Sequence, residues 1–202
     1  MNARAILVAI VLVMAWGLVA CGTLDARITL YQNQAWQAEI RMTLNAQETD
    51  QVGAMVEGEL SKQAARWKSQ NVRYEWRKEK DGNNTVYVIT TEGKGWASLS
   101  QVVFDGKARI ESTDRGVRLV LRDTGVISTR ATTLRLTGGQ IVSSNADEVK
   151  GNTAIWYNVQ PGRTVEAVLT EASRSPLPVP CPGGTMVALL LPLGYYLHRR
   201  TH

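Results

Sequence analysis

The chain is poor in the residues that carry most hydrolytic and redox chemistry. Its 202 residues include two Cys and two His. Both His residues, His198 and His202, lie in the terminal tail, and Cys21 and Cys181 fall near the two ends. The long stretch between those cysteines therefore excludes Ser-His-Asp and Cys-His nucleophile systems and any His-ligated metal site. No Ser-x-x-Lys pair occurs. Two Cys are too few for a disulfide scaffold. A marked basic face is also missing. The pI is 9.4, yet without Arg4, Arg199 and Arg200 there remain 20 Lys+Arg against 18 Asp+Glu, a net of +2. No nucleic-acid partner is implied.

What is present begins with a leader. Arg4 precedes an apolar run over residues 5–16. Twelve residues are too few to span a bilayer and suit a signal-peptide core. The run leads into Leu18-Val19-Ala20-Cys21, which resembles a bacterial lipobox. That resemblance implies transfer of a diacylglyceryl group to the Cys21 thiol and cleavage just before it. The nucleophile in such chemistry is a thiolate. Two acyl chains hold a membrane firmly where one holds only marginally. The alternative is an uncleaved anchor with an incidental Cys. The expected organisation is a signal peptide over 1–20, a lipidated tether over 21–24, a domain over 25–172, a linker over 173–184 and a hydrophobic segment with a basic end over 185–202.

The linker carries Pro176, Pro178, Pro180 and Pro182, which favour an extended, semi-rigid path. The last segment contains Thr185, Met186, Val187, Ala188, Leu189, Leu190, Leu191, Leu193, Tyr195, Tyr196 and Leu197, interrupted by Pro192 and ended by Arg199-Arg200. As a helix these thirteen positions reach about 20 Å, against about 30 Å of hydrocarbon. The basic end fits a stop on the cytoplasmic side. A membrane anchor, a sorting signal of the Gly-Gly type, and a tail packed elsewhere all stay open. Lipidation of Cys21 would leave Cys181 without a partner in the chain.

The middle reads as an α+β domain: an antiparallel sheet of about ten short strands with one long and one short helix packed on it. Residues 27–31 and 35–44 alternate apolar and polar, and Gln32-Asn-Gln34 joins them as a hairpin. Asn45-Ala-Gln-Glu48 has capping-box spacing. It opens a helix of about twenty residues with Val52, Met55, Val56, Leu60, Ala64 and Trp67 as its apolar stripe. Asp81-Gly82 joins the next hairpin. Residues 95–104 read as a short helix bearing Trp96, Leu99 and Val103 on one side. Strands follow at 108–113, 117–122, 128–137, 140–143, 153–159 and 164–171, with a Pro161-Gly162 turn before the last.

Leu136-Thr-Gly-Gly-Gln-Ile-Val-Ser-Ser-Asn145, then Gly151-Asn152-Thr153-Ala154-Ile155-Trp156, together with Cys21 and the basic-ended tail, resemble the LppM-like domain of bacterial envelope lipoproteins. The resemblance implies a membrane-tethered body that binds lipid or glycolipid, and it brings no catalytic residues and no cofactor. Gly151, Asn152 and Trp156 read as turn and core residues. Asp105, Asp114 and Asp123 read as turn residues, and Asp147 and Glu148 as loop residues; a carboxylate pair for glycan hydrolysis needs two of them about 5–10 Å apart. Gly93-Lys-Gly95 lacks the strand–loop–helix setting of a phosphate loop. Arg130 and Arg135 fall on opposite strand faces, as solvated charges or as a headgroup contact. The functions to distinguish are a lipid-anchored extracytoplasmic binding domain at the cell membrane, an assembly module docking another envelope protein, and, distantly, an envelope glycan hydrolase.

Overall fold

The computed structural model describes residues 22–122, 131–160 and 162–173. Over these residues the chain runs β1 (Thr23–Tyr31), β2 (Ala35–Leu44), α1 (Ala46–Lys68), β3 (Arg73–Asp81), β4 (Asn84–Lys94), α2 (Trp96–Phe104), β5 (Ala108–Thr113), β6 (Gly116–Leu121), β7 (Ala131–Thr137), β8 (Ile141–Ser144), β9 (Glu148–Lys150), β10 (Thr153–Trp156) and β11 (Val165–Leu169). The α+β class and the one-long, one-short helix pair are as expected. Asp123, Arg130 and Pro161 lie outside the described residues.

The strands form two sheets rather than one. The larger has the order β3-β4-β2-β1-β7-β10-β9, the smaller β5-β6-β11-β8. One pair departs from the antiparallel expectation: β1 runs parallel to β7, with Thr23 opposite Ala131. The long connection between these strands allows that pairing, since parallel neighbours need a crossover.

Most of the large sheet's core residues share one face, while Val86, Val88 and Ile155 are buried on the other. Register aligns Ile28 with Ala38 and Leu136, and Ile40 with Ala26 and Ile89. Along that face, α1 covers Met42, Leu44, Tyr87 and Ile89 with Val52, Val56 and Leu60. The small sheet and α2 cover Ile28, Leu30, Trp36, Leu136 and Trp156 with Leu99, Leu119, Val165 and Leu169.

The helix starts as its residues dictate. Asn45 Oδ1 accepts the Glu48 N–H at 2.9 Å, and Glu48 Oε2 accepts the Asn45 N–H at 2.7 Å. A cap of this kind is worth about 1 kcal/mol. The stripe differs at one expected position, because Met55 is 44% exposed. At about 100° per residue, Met55 lies roughly 110° from the centre of the buried stripe. Gln63 falls inside it and is buried, where its Nε2 donates to Glu59 at 2.9 Å.

The first strand begins earlier than the alternation implied. Leu24 pairs with Met42 and Asp25 with Arg41, so only Gly22 separates Cys21 from β1. The last expected strands are shorter: β10 stops at Trp156 and β11 at Leu169.

Candidate functional site

Cys21 and the tail residues 185–197 lie outside the described residues, but the positions where the chain enters and leaves the body are defined. Gly22 is buried with φ +73°. A Cβ there would stand 2.4 Å from Thr43 O and 2.8 Å from Leu44 Cδ2, so only glycine fits. The Gly22 N–H donates to Glu48 Oε1 at 3.3 Å. Glu48 thus joins the entry of β1 to the cap of α1. At the other end of β1, Ala172 bridges to Tyr31. The Ala172 N–H donates to Leu30 O at 2.9 Å, and the Gln32 N–H to Ala172 O at 3.0 Å. Entry and exit lie at opposite ends of a nine-residue strand, about 26 Å apart at the usual rise per residue.

The Asn-rich motif region is a structural joint. Trp156 is fully buried, and its Nε1 donates to Asn145 Oδ1 at 2.9 Å. The same oxygen accepts the Glu166 N–H at 2.9 Å, while Asn145 Nδ2 donates to Thr164 O at 2.8 Å. One carboxamide therefore ties β10 of the large sheet to the entry of β11 in the small one. Asn152 Nδ2 donates to Gly138 O at 2.8 Å, and the Thr137 and Thr153 hydroxyls meet at 2.9 Å. Gly151 supplies the turn at φ +58°. These residues shape a turn and fill a core, as their types imply.

Of the carboxylates singled out, Asp123 lies outside the described residues, and the others sit at a helix end, in a turn and around Tyr157. Asp105 takes the left-handed conformation after α2, and Asp114 sits in the β5–β6 turn. Glu148 opens β9 instead of lying in a loop. Asp147 accepts from Arg163 at 2.7 Å and from the Tyr157 N–H at 2.7 Å. The Arg163 contact, with the Tyr157 amide, holds the Asp147 carboxyl below its ordinary pKa. Lys150 and the Tyr157 hydroxyl do the same for Glu148. Both sets of contacts favour the charged carboxylate. Arg135 is ion-paired with Asp25, which also faces Arg27 at 3.5 Å. Among the described residues no group of three or more His, Cys, Asp or Glu is placed to hold a metal ion.

The seam between α1 and the large sheet is occupied by side chains. Below its apolar section, Glu57 Oε1 accepts from Lys78 Nζ at 2.7 Å and from the Tyr87 hydroxyl at 3.0 Å. The Lys78 contact leads in holding Glu57 below its ordinary pKa. Burial, with the Glu57 contact, pushes Tyr87 up to about 12. Tyr74 is pushed up by burial as well. The i, i+21 and i, i+30 spacings of this trio follow no sequence pattern, and only the folded seam reveals it. Exposed apolar side chains lie elsewhere: Met55 on α1, Val142 on β8, Val149 on β9 and Tyr157 after β10. Among the described residues no helix is long and apolar enough to cross a membrane.

No family model and no curated protein matches the chain. Among solved structures, the chain is similar to the folded domain of LppM from Mycobacterium tuberculosis, determined by NMR. The two share 16% identity over 77% of this chain and 94% of that one, with a TM-score of 0.49.

Proposed function

We propose that this chain is a lipid-anchored protein of the bacterial cell envelope whose extracytoplasmic body acts by binding rather than catalysis. One observation carries the reading. A leader with the length of a signal-peptide core ends in Leu18-Val-Ala-Cys21, and the folded body starts two residues later at Thr23. A thioether-linked diacylglyceryl at Cys21 would then hold that body directly at a bilayer. The lack of His and Cys between Cys21 and Cys181 supports a body that acts without a His- or Cys-based nucleophile system. The ligand class implied by the LppM-like resemblance is lipid or glycolipid. With the α1 seam filled by Val52, Val56, Leu60 and their partners, such a ligand would meet the outer surface of the body.

Metabolic labelling with palmitate tests the anchor. The wild-type chain should take up label, and Cys21→Ser should take up none and retain its leader. Equal labelling of both would overturn the reading.

A docking role has its own supporting observation. Among the described residues, strands β8 and β9 each end a sheet, and they carry Val142 at 44% and Val149 at 50% exposure. Unpaired edges with apolar side chains are suited to strand addition by a partner. A photo-crosslinker at Val149 should then give a discrete adduct with an envelope protein that is lost with Val142→Asp. Adducts unchanged by Val142→Asp would remove this role.

A further inference from the structure

We infer that the body does not swing freely on its lipid anchor but is held with one end toward the bilayer: the end formed by the start of β1, the start of α1 and the β3–β4 hairpin. The inference rests on the anchor proposed above and adds the surface that meets lipid.

The argument starts from Gly22. A flexible tether would give the body a reach that grows with the square root of the tether's length. Here the next residue is buried, locked at φ +73° against Thr43 and Leu44, and hydrogen-bonded to Glu48. The Cα of residue 21 can lie only about 3.8 Å from that of Gly22. The acylated atoms would therefore leave the body beside Thr23, on a tether of a single residue.

Register defines what shares that end. Thr23 stands opposite Thr43 and Ala131. Leu44 stands opposite Thr85, so the tip of the β3–β4 hairpin, with exposed Gly82 and Asn83, projects beyond Thr23. The Val159 N–H donates to Thr132 O at 3.0 Å, which brings the exposed ring of Tyr157 to the same end. Tyrosine is a favoured residue at the headgroup level. The opposite end carries Gln32 and the exit at Ala172.

Fluorophores at Asn83→Cys and Gln32→Cys, each in a Cys181→Ser background, test it. The full-length acylated protein is placed in phosphatidylethanolamine/phosphatidylglycerol vesicles bearing nitroxide headgroups. Quenching at position 83 should exceed that at 32 several-fold. A Gly/Ser insert of about ten residues between Cys21 and Gly22 should bring the two close to equal, because the joint no longer fixes the angle. Equal quenching without the insert, or an unchanged difference with it, would overturn the orientation. Circular dichroism confirms that each variant is folded. Mass spectrometry of the same preparations separates the two claims: absence of acyl groups on Cys21 defeats the anchor, whereas acylated protein with equal quenching defeats the orientation alone.

Discussion

The two faces of the large sheet are built on opposite principles from the same strands. One face carries Ile28, Leu30, Trp36, Ala38, Leu136 and Trp156, all almost fully buried. The other carries Asp25, Arg27, Glu39, Arg41, Glu75, Arg77, Glu79, Glu92 and Arg135, in register from β3 to β7. Its charges are paired across and along strands: Arg41 with Glu79 at 3.2 Å, Arg77 with Glu79 at 2.7 Å and Arg73 with Glu92 at 3.4 Å. Val86 and Val88 also point to this face and are nevertheless buried. Arg41 and Arg77 flank Val88 in register, and the aliphatic stems of such side chains cover apolar neighbours. The lesson is that stability should be concentrated on one face, while the other keeps the sheet soluble and its charges balanced.

That contrast sets the order of expected effects. Trp156→Ala empties the junction of both sheets and should cost about 3–5 kcal/mol. Chemical denaturation in mild detergent measures it, and a loss below 1 kcal/mol would mean that the junction is not a tight core. Next is Gly93→Ala. Its Cβ would stand 2.6 Å from Trp36 Cζ2, and overpacking of this kind costs about 1–3 kcal/mol; an unchanged midpoint would show that the indole has room to move. Asn145→Ala should cost about 1 kcal/mol. The side chain is exposed, so water can replace part of its contact with the Trp156 indole. Additivity of Asn145→Ala with Trp156→Phe would argue against that bond.

The smallest effects belong to the charged face and to the polar contacts of α1. The Arg77 contact leads in holding the Glu79 carboxyl below its ordinary pKa, and the Lys78 contact does so for Glu57. A depressed carboxylate contributes stability above its unfolded pKa, about 4.3 for Glu, and loses it as pH falls through the folded value. The melting temperature should therefore drop on acidification below about pH 4, and less steeply in Glu79→Gln. At pH 7 the exposure of these groups makes each pair worth little. A large drop in melting temperature at pH 7 for Arg77→Ala would erase the distinction between the faces.

Local rules explain what the sequence revealed. Asn45 and Glu48 announce α1 because a cap and its reciprocal partner are adjacent in the chain. Residues 35–44 announce β2 because alternation is a property of one strand. The division into two sheets was not legible, since it depends on which distant strands pair. Thr23 beside Ala131 is a contact across more than a hundred residues, and no local pattern encodes it. The early start of β1 was missed for a related reason. Asp25 is a poor strand residue by type, and it is accommodated by Arg135 on β7, which no window around Asp25 contains. Gln63 shows the same limit in α1: its polarity points outward, and its angular position on the helix turns it inward. For the candidate site, the reading of Cys21 rests on its leader alone, whereas the glycine lock behind it required the neighbouring Thr43, Leu44 and Glu48.

Intact-mass spectrometry of the membrane-extracted protein tests the account at its centre. The predicted mass begins at Cys21 and carries a diacylglyceryl addition, with or without residues of the tail. A mass equal to all 202 residues with no added lipid would contradict it.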